Sequence, residues 1–185
     1  MNISITGTLG SGKSSVCKIL KENGYDIISN GVLFREIAEE KGITVVELNE
    51  LAKKDKSIDD MLDERSIRLG KELDSTIFDS RMGWHFIPDS FKVFLLADMT
   101  EAGRRVYNDN RVSESYNDPA TAKADLIKRQ LMEKKRFSDL YQTDYLNLNN
   151  YDLVIESTYA TPDQIAEQIL KGVEEKVMSQ AKLNP

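Results

Sequence analysis

The segment GTLGSGKS, residues 7–14, places glycine, lysine and serine at the spacing of a phosphate-binding loop. It matches the pattern G-x-x-x-x-G-K-[ST], with Gly7, Gly12, Lys13 and Ser14 at the fixed positions. An apolar stretch precedes it and a helical pattern follows it, which is the context that such a loop requires. Backbone N–H groups at a helix start bind phosphate, the lysine reaches the β- and γ-phosphates, and the serine hydroxyl ligates Mg²⁺. We therefore predict a site for a nucleoside triphosphate with Mg²⁺.

A second metal ligand is expected at the end of another core strand, because a phosphate loop usually binds its metal ion together with an acidic residue. Asp79 follows the strand-like residues STIF and is the candidate. Asp98, which ends the stretch FKVFLLAD, competes with it, but its position before a helical segment favours an N-cap. The sequence therefore predicts that Ser14 and Asp79 hold the metal ion.

Arginines supply the further positive charge that phosphoryl transfer needs beside Lys13. The guanidinium group suits phosphate because it donates two parallel hydrogen bonds. The candidates are Arg35, Arg81, Arg104, Arg105, Arg111, Arg129 and Arg136. Arg129, Glu133 and Arg136 have helical spacing and are expected on one face. The alternative, which remains open at this point, is that these arginines are solvated surface charges.

The chain alternates short apolar stretches with amphipathic ones, a pattern typical of a parallel sheet covered by helices on both faces. Strands are predicted at residues 2–6, 25–29, 75–79, 91–97 and 152–157. Helices are predicted at residues 12–22, 32–41, from Thr44 onward, 58–73, 100–108, 119–141 and 162–179. We therefore predict an α/β fold with three layers, α/β/α, around a five-stranded parallel sheet.

One long helical stretch, residues 32–73, interrupts this alternation because no strand pattern divides it. An inserted helical arm of this kind can close over a substrate. Within it, Thr44 followed by Glu47 has the spacing of a capping box. Thr161 and Gln164 have the same arrangement at the start of the last helix.

The composition indicates one globular domain covering residues 1–185, with 40% hydrophobic and 30% charged residues. The net charge of −6 argues against binding to nucleic acid or to an anionic membrane surface. No apolar run approaches the roughly 20 residues of a membrane helix, and no signal segment is visible. A single cysteine and a single histidine exclude an internal disulfide and a clustered His/Cys metal site. We expect a cytoplasmic protein whose oligomeric state the sequence leaves open.

The protein class follows from motifs that are missing as well as present. The guanine-reading N-K-x-D and the D-x-x-G switch of GTPases do not occur, and the chain is too short for most ATP-driven motors. A small phosphotransferase remains, with its arginines near a phosphate loop.

The sequence also resembles the short, archaeal-type cytidylate kinases of the P-loop nucleoside monophosphate kinase superfamily. The resemblance covers residues 2 to about 170 and is most specific in the segments FREIA, ELNELA, SRMGW and YDLVIEST. It implies a P-loop NTPase fold and an enzyme that transfers the γ-phosphoryl group of ATP, with Mg²⁺, to a nucleoside monophosphate. CMP or dCMP is the acceptor that it implies.

The resemblance implies roles for individual residues. The phosphates of ATP would be held by Gly7, Gly10, Ser11, Gly12, Lys13, Ser14 and Ser15. The acceptor would be bound by Asn30, Gly31, Arg35 and Arg81, the two arginines contacting its phosphate. Lys13 would act on the transferred group, and Arg129 and Arg136 would close on that group or on the acceptor. An acceptor-binding arm would span about residues 30–74, and a mobile lid about residues 104–118 would carry Arg104, Arg105 and Arg111.

Three departures from the family pattern bear on the acceptor, the first being a Ser29–Asn30 pair that is more polar than the common one. Ser80 stands where the family usually has glycine, and the lid segment RRVYNDNRVSESYNDPAT is richer in asparagine and serine than is usual. The identity of the base therefore stays open. The alternatives to a cytidylate kinase are a P-loop kinase of another small metabolite and an ATP-binding regulatory module without catalysis.

Overall fold

Five parallel strands form one sheet, in the order β2-β3-β1-β4-β5. The structure is a computed structural model in which residues 1–109 and 116–183 are described. The strands are β1 (Ile3–Gly7), β2 (Asp26–Ser29), β3 (Thr76–Asp79), β4 (Phe91–Leu96) and β5 (Leu153–Glu156). All four neighbouring pairs are parallel, as the sequence predicts.

Helices connect the strands and cover the sheet, which gives the predicted three-layer α/β/α fold. They are α1 (Lys13–Glu22), α2 (Asn30–Glu40), α3 (Val45–Ala52), α4 (Ser57–Glu72), α5 (Gly83–Phe86), α6 (Met99–Asn108), α7 (Pro119–Tyr141) and α8 (Pro162–Leu183). None of these helices is long and apolar enough to cross a membrane.

Strand β1 lies at the centre of the sheet and is buried along its whole length. Ile3 and Ile5 are fully buried in the core cluster that α1 and α8 complete. Ser4 and Thr6 alternate with them and face the other side of the sheet, where Ser4 Oγ accepts a 2.9 Å hydrogen bond from Ser90 Oγ. Burial of each isoleucine contributes about 1.5–3 kcal/mol, so these side chains anchor the strand that carries the phosphate loop.

The carboxyl ends of the strands share one edge of the sheet, and the predicted site residues lie there. The phosphate loop follows β1, Asn30 follows β2, and Ser80 and Arg81 follow β3. Asp79, the last residue of β3, lies beside Ile5 of β1 in the parallel register. Ligands of open α/β sheets bind at this edge, so the fold brings the candidate residues to the expected place.

The helical segment between β2 and β3 consists of α2, α3 and α4 and has a small core of its own. Ile37, Ala38, Leu48 and Ile58 are buried against one another in this cluster. The three helices therefore pack as a unit beside the sheet, and we refer to them as the arm helices.

The predicted capping box at the start of α3 is confirmed. Thr44 N donates to Glu47 Oε2 at 2.7 Å, and Glu47 N donates to Thr44 Oγ1 at 3.2 Å. Thr44→Ala is expected to lower the free energy of unfolding by about 1 kcal/mol, because it removes this N-cap. Urea unfolding followed by circular dichroism measures the change. Ser179→Ala, which removes an exposed hydroxyl late in α8, is the control and should change stability by less than about 0.5 kcal/mol.

The predicted element boundaries differ from the structure at a few points. Helix α2 begins at Asn30 instead of residue 32, because the Ser29 side chain accepts a hydrogen bond from Val32 N and caps the helix earlier. Helix α8 continues to Leu183, four residues past the predicted end at residue 179. Helix α5 and a 3₁₀ helix at Leu148–Asn150 were not predicted, because elements of four and three residues are too short to show a period.

Candidate active site

The phosphate loop has the strand–loop–helix geometry that the sequence predicts, and its glycines are required by that geometry. A Cβ on Gly7 would lie 2.5 Å from the carbonyl oxygen of Leu95 in β4. Gly10 has φ +74°, and a Cβ there would lie 2.8 Å from the Cβ of Ala102 in α6. Gly12 precedes α1 in a left-handed conformation. The backbone can therefore approach both its neighbours and a ligand closely.

A cavity of about 230 Å³ opens over this loop, and we refer to it as the phosphate-loop cavity. Its lining residues are Leu9, Gly10, Ser11, Gly12, Lys13, Ser14, Ser15, Arg81, Val106, Leu126 and Arg129. The start of α1, one lysine and two arginines make it cationic. Ser11 Oγ is buried there without a hydrogen-bond partner among the described residues. A polyphosphate fits this environment; the assignment of these residues to ATP stays a prediction.

Lys13 is half-buried at the start of α1, and its surroundings alter its acidity. Removal from water, followed by the positive charge of Arg81, lowers the pKa of Lys13 to about 8, while Asp79 acts in the opposite direction. The Lys13 ammonium group therefore begins to lose its proton near pH 8, unless a bound anion stabilises its positive charge.

We expect the affinity for ATP to fall above pH 8. Bound phosphates favour the protonated form of Lys13, so the pKa of this residue must rise in the complex. Above about pH 8 binding then requires proton uptake, and the Kd should rise by up to about tenfold per pH unit. Titration calorimetry between pH 8 and 10, in buffers of different ionisation enthalpy, measures the Kd and the proton uptake on binding. Lys13→Arg should bind without this pH dependence; a constant Kd for the unaltered protein would contradict the assignment.

The predicted metal ligands lie at the same edge of the sheet. Asp79 ends β3, and its charge reaches Lys13. Asp98, the competing candidate, instead caps α6, because its carboxylate accepts a 2.8 Å hydrogen bond from Thr100 N. In the described part of the chain no three acidic, histidine or cysteine side chains come together as a metal site. Mg²⁺ held by Ser14 and Asp79 would therefore take further ligands from phosphate and water, which is its usual coordination.

A second cavity, of about 640 Å³, lies between the arm helices, the segment after β3 and α7. We refer to it as the acceptor cavity. Its polar lining includes Asn30, Gly31, Arg35, Asn49, Lys53, Asp59, Asp63, Ser66, Ser80 and Arg136, and its apolar lining includes Phe34, Leu62, Met82, Phe86 and Phe137. Three of the four predicted acceptor residues, Asn30, Gly31 and Arg35, line this cavity.

Arg81, the fourth predicted acceptor residue, lines the phosphate-loop cavity instead. Its neighbour Ser80 lines the acceptor cavity, so the two cavities adjoin at this peptide. Helix α7 also contributes to both cavities, because Arg129 lines the phosphate-loop cavity and Arg136 lines the acceptor cavity. The predicted catalytic arginines are thus divided between the two cavities.

Two of the predicted arginines pair with carboxylates. Arg81 Nε donates to Glu133 Oε2 at 2.8 Å, which joins the segment after β3 to α7. Arg136 Nη2 donates to Asp59 Oδ1 at 2.5 Å, which joins α7 to α4. The helix face predicted to carry Arg129, Glu133 and Arg136 therefore does face the two cavities. A phosphate that binds Arg81 or Arg136 would compete with a carboxylate for the guanidinium group.

The arginines of α6 have partners outside both cavities. Arg104 is exposed and donates to Glu101 one turn earlier, at 2.7 and 2.8 Å. Arg105 Nη2 donates to the carbonyl oxygens of Ser157 and Thr158 at 2.8 and 2.6 Å. Arg105 therefore stabilises the segment that follows β5.

The predicted lid, residues 104–118, begins within the predicted helix at residues 100–108, which the structure contains as α6. Helix α6 continues through both arginines to Asn108, and α7 begins at Pro119. Arg111 lies outside the described residues. The lid function of this segment stays a prediction.

The structure adds a side-chain pair that the sequence did not single out. Tyr141 Oη donates a 2.9 Å hydrogen bond to Asp63 Oδ2 inside the acceptor cavity. Burial raises the pKa of the Asp63 carboxyl to about 6, and the charges of Asp59 and Asp60 act in the same direction. The sequence contains only a weak signal for Asp63, which is a carboxylate one turn after Asp59 on the apolar side of α4.

Comparisons with known proteins agree with this geometry. Residues 2–159 match the sequence model of the cytidylate kinase-like family. A cytidylate kinase of Sulfolobus acidocaldarius is 34% identical over 185 residues, covering 98% of each protein. One of Halobacterium salinarum is 32% identical over 177 residues, covering 94% of this chain and 90% of that protein. A shikimate kinase structure from Bacteroides thetaiotaomicron has a TM-score of 0.61 at 15% identity, covering 96% of this chain and 98% of that one, and shows a shared fold.

The parallel sheet, the phosphate loop and the adjoining second cavity define the class of P-loop kinases. Within this class, the chain belongs to the cytidylate kinase-like family. It is a kinase, a nucleoside monophosphate phosphotransferase, as the sequence predicts.

Proposed function

We propose that the protein transfers the γ-phosphoryl group of ATP to CMP or dCMP. The observation that carries the proposal is the contact between the two cavities, where consecutive residues Ser80 and Arg81 line one cavity each. A donor over the phosphate loop and an acceptor among the arm helices would meet there. The relatives named cytidylate kinase support a cytidine nucleotide as the acceptor.

The lining of the acceptor cavity at the start of α2 supports an acceptor that carries a phosphate. Helix α2 begins at Asn30, so its N-terminal N–H groups and Gly31 lie at the cavity wall. The positive end of this helix and Arg35 one turn later favour an anion. A neutral sugar acceptor would make no use of these charges.

The proposed reaction needs no nucleophile from the protein. An oxygen of the acceptor's phosphate attacks the γ-phosphorus in line, the bond to the bridging oxygen of the β-phosphate breaks, and the nucleoside diphosphate and ADP form. Lys13, Arg81 and Arg129 stabilise the charge that moves onto the β-phosphate and the equatorial oxygens. Mg²⁺, when bound, supplies further charge neutralisation at the β- and γ-phosphates.

The test is a panel of acceptors at saturating ATP and Mg²⁺, with ADP release as the readout. The acceptors are CMP, dCMP, UMP, AMP, GMP and dTMP, together with shikimate and gluconate as acceptors without a phosphate. We expect turnover with CMP and dCMP, and the corresponding diphosphates as products.

Two outcomes would contradict the proposal. Turnover confined to an acceptor without a phosphate would indicate a different small-metabolite kinase. ATP binding without turnover on any acceptor would indicate a regulatory module.

A further inference from the structure

Asp63 of α4 is the carboxylate in the acceptor cavity that is held by a neutral donor. The other carboxylate in the lining, Asp59, forms an ion pair with Arg136. Asp63 instead accepts its 2.9 Å hydrogen bond from the Tyr141 hydroxyl. A carboxylate has about four acceptor positions, and this hydrogen bond uses one of them. The group is therefore oriented by α7 and retains acceptor capacity toward the cavity.

The surroundings of Asp63 suit a flat, partly apolar ligand. Phe34, Leu62, Phe86 and Phe137 line the same cavity and can pack against an aromatic ring. Burial raises the pKa of the Asp63 carboxyl to about 6, so at pH 8 the group is ionised and can only accept hydrogen bonds. The positive charge of Arg136 stabilises the ionised Asp63 in part, but a half-buried carboxylate still gains from direct hydrogen-bond donors.

The pyrimidine bases differ in the group that would meet this carboxylate. Cytosine presents an exocyclic amino group, which donates, whereas uracil and thymine present a carbonyl oxygen at the same ring position, which accepts. A carboxylate opposite the amino group gains a charge-assisted hydrogen bond, and opposite the carbonyl oxygen it meets another acceptor.

We propose that Asp63, positioned by Tyr141, accepts a hydrogen bond from the amino group of the cytosine base and thereby makes the enzyme prefer CMP to UMP and dTMP. This inference rests on the proposed function and names the residue that discriminates between bases at its acceptor site.

The test is the ratio of kcat/KM for CMP to that for UMP, measured at pH 8 in the unaltered protein and in Asp63→Asn. The amide keeps the shape of the side chain but can donate to the uracil carbonyl oxygen. The ratio should therefore fall at least about tenfold, while the KM for ATP stays unchanged. Calorimetric titration with CMP should show a matching loss of affinity, which separates binding from chemistry.

Matched variants keep the test decisive. Asp60→Asn removes an exposed carboxylate from the same helix and should leave the ratio within about twofold. Tyr141→Phe keeps the ring but removes the donor to Asp63, so the ratio should fall in the same direction. It serves as the second variant if Asp63→Asn does not fold.

The outcomes separate this inference from the function on which it rests. An unaltered protein that prefers CMP, together with an Asp63→Asn variant that keeps the ratio, would overturn only the role of Asp63. Equal turnover of CMP and UMP by the unaltered protein would also overturn only the role of Asp63. No turnover of CMP or dCMP by the unaltered protein would overturn the proposed function itself.

Discussion

Lys13→Ala is expected to reduce kcat for phosphoryl transfer by about 10³-fold or more. Lys13 lines the phosphate-loop cavity together with Arg81 and Arg129, and it provides a positive charge where the transferred group develops negative charge. The loss should appear in kcat more than in the KM for the acceptor, because we place the acceptor in a different cavity. Steady-state kinetics of ADP formation with varied CMP measures both parameters.

Lys18→Ala is the control for this variant. Lys18 is an exposed residue of the same helix, and its removal changes the net charge equally without altering the loop. We expect near-normal kinetics for it. A Lys13→Ala enzyme with normal helical content and a kcat within tenfold of the unaltered protein would show that the lysine is not part of the transfer step.

Arg35→Ala is expected to raise the KM for the acceptor about ten- to hundredfold and to leave the KM for ATP unchanged. Arg35 lines the acceptor cavity near the N-terminus of α2, where we place the acceptor's phosphate. A hydrogen bond to a charged group contributes about 1.5–3 kcal/mol, which corresponds to this range. Initial rates with varied CMP, and separately with varied ATP, measure the two KM values.

The matched control is Arg68→Ala, which removes an exposed arginine from α4 of the arm helices. Its acceptor KM should stay within about twofold of normal. If Arg35→Ala instead raised the KM for ATP alone, the acceptor's phosphate would have to be placed elsewhere in the cavity.

The elements that the sequence predicts well are those with local causes. The phosphate loop is recognised by the spacing of glycine, lysine and serine within residues 7–14, and Thr44 and Glu47 cap α3 through contacts three residues apart. The hydrophobic alternation along β1 likewise reports burial on two faces. Such features depend on residues close in sequence, so a single chain reveals them.

The partners of the arginines could not be predicted, because they are distant in sequence. Arg136 meets Asp59 across 77 positions, and Arg81 meets Glu133 across 52. The spacing of the charged residues showed that α7 carries them on one face. Which helix lies opposite that face depends on how the arm helices pack. Arg81, which the resemblance assigns to the acceptor's phosphate, lines the phosphate-loop cavity, and its contact with the acceptor stays a prediction.

Asp63 was not recognised in the sequence for a related reason. Carboxylates are common on α4, and Asp59, Asp60 and Asp63 are equivalent as sequence letters. Only the packing of α4 against α7 distinguishes them, since it pairs one with an arginine, leaves one exposed and brings the third to a tyrosine. Asp63 can therefore be singled out only from the tertiary structure, whereas the phosphate loop is recognisable from the sequence.

The most direct test of direct transfer between the two cavities is to follow the label from [γ-³²P]ATP in a single turnover with excess enzyme, CMP and Mg²⁺. The account predicts that all the transferred label appears in the β-phosphate of CDP, with none on the protein. Label bound to the protein, or released as inorganic phosphate while CMP stays unmodified, would contradict it.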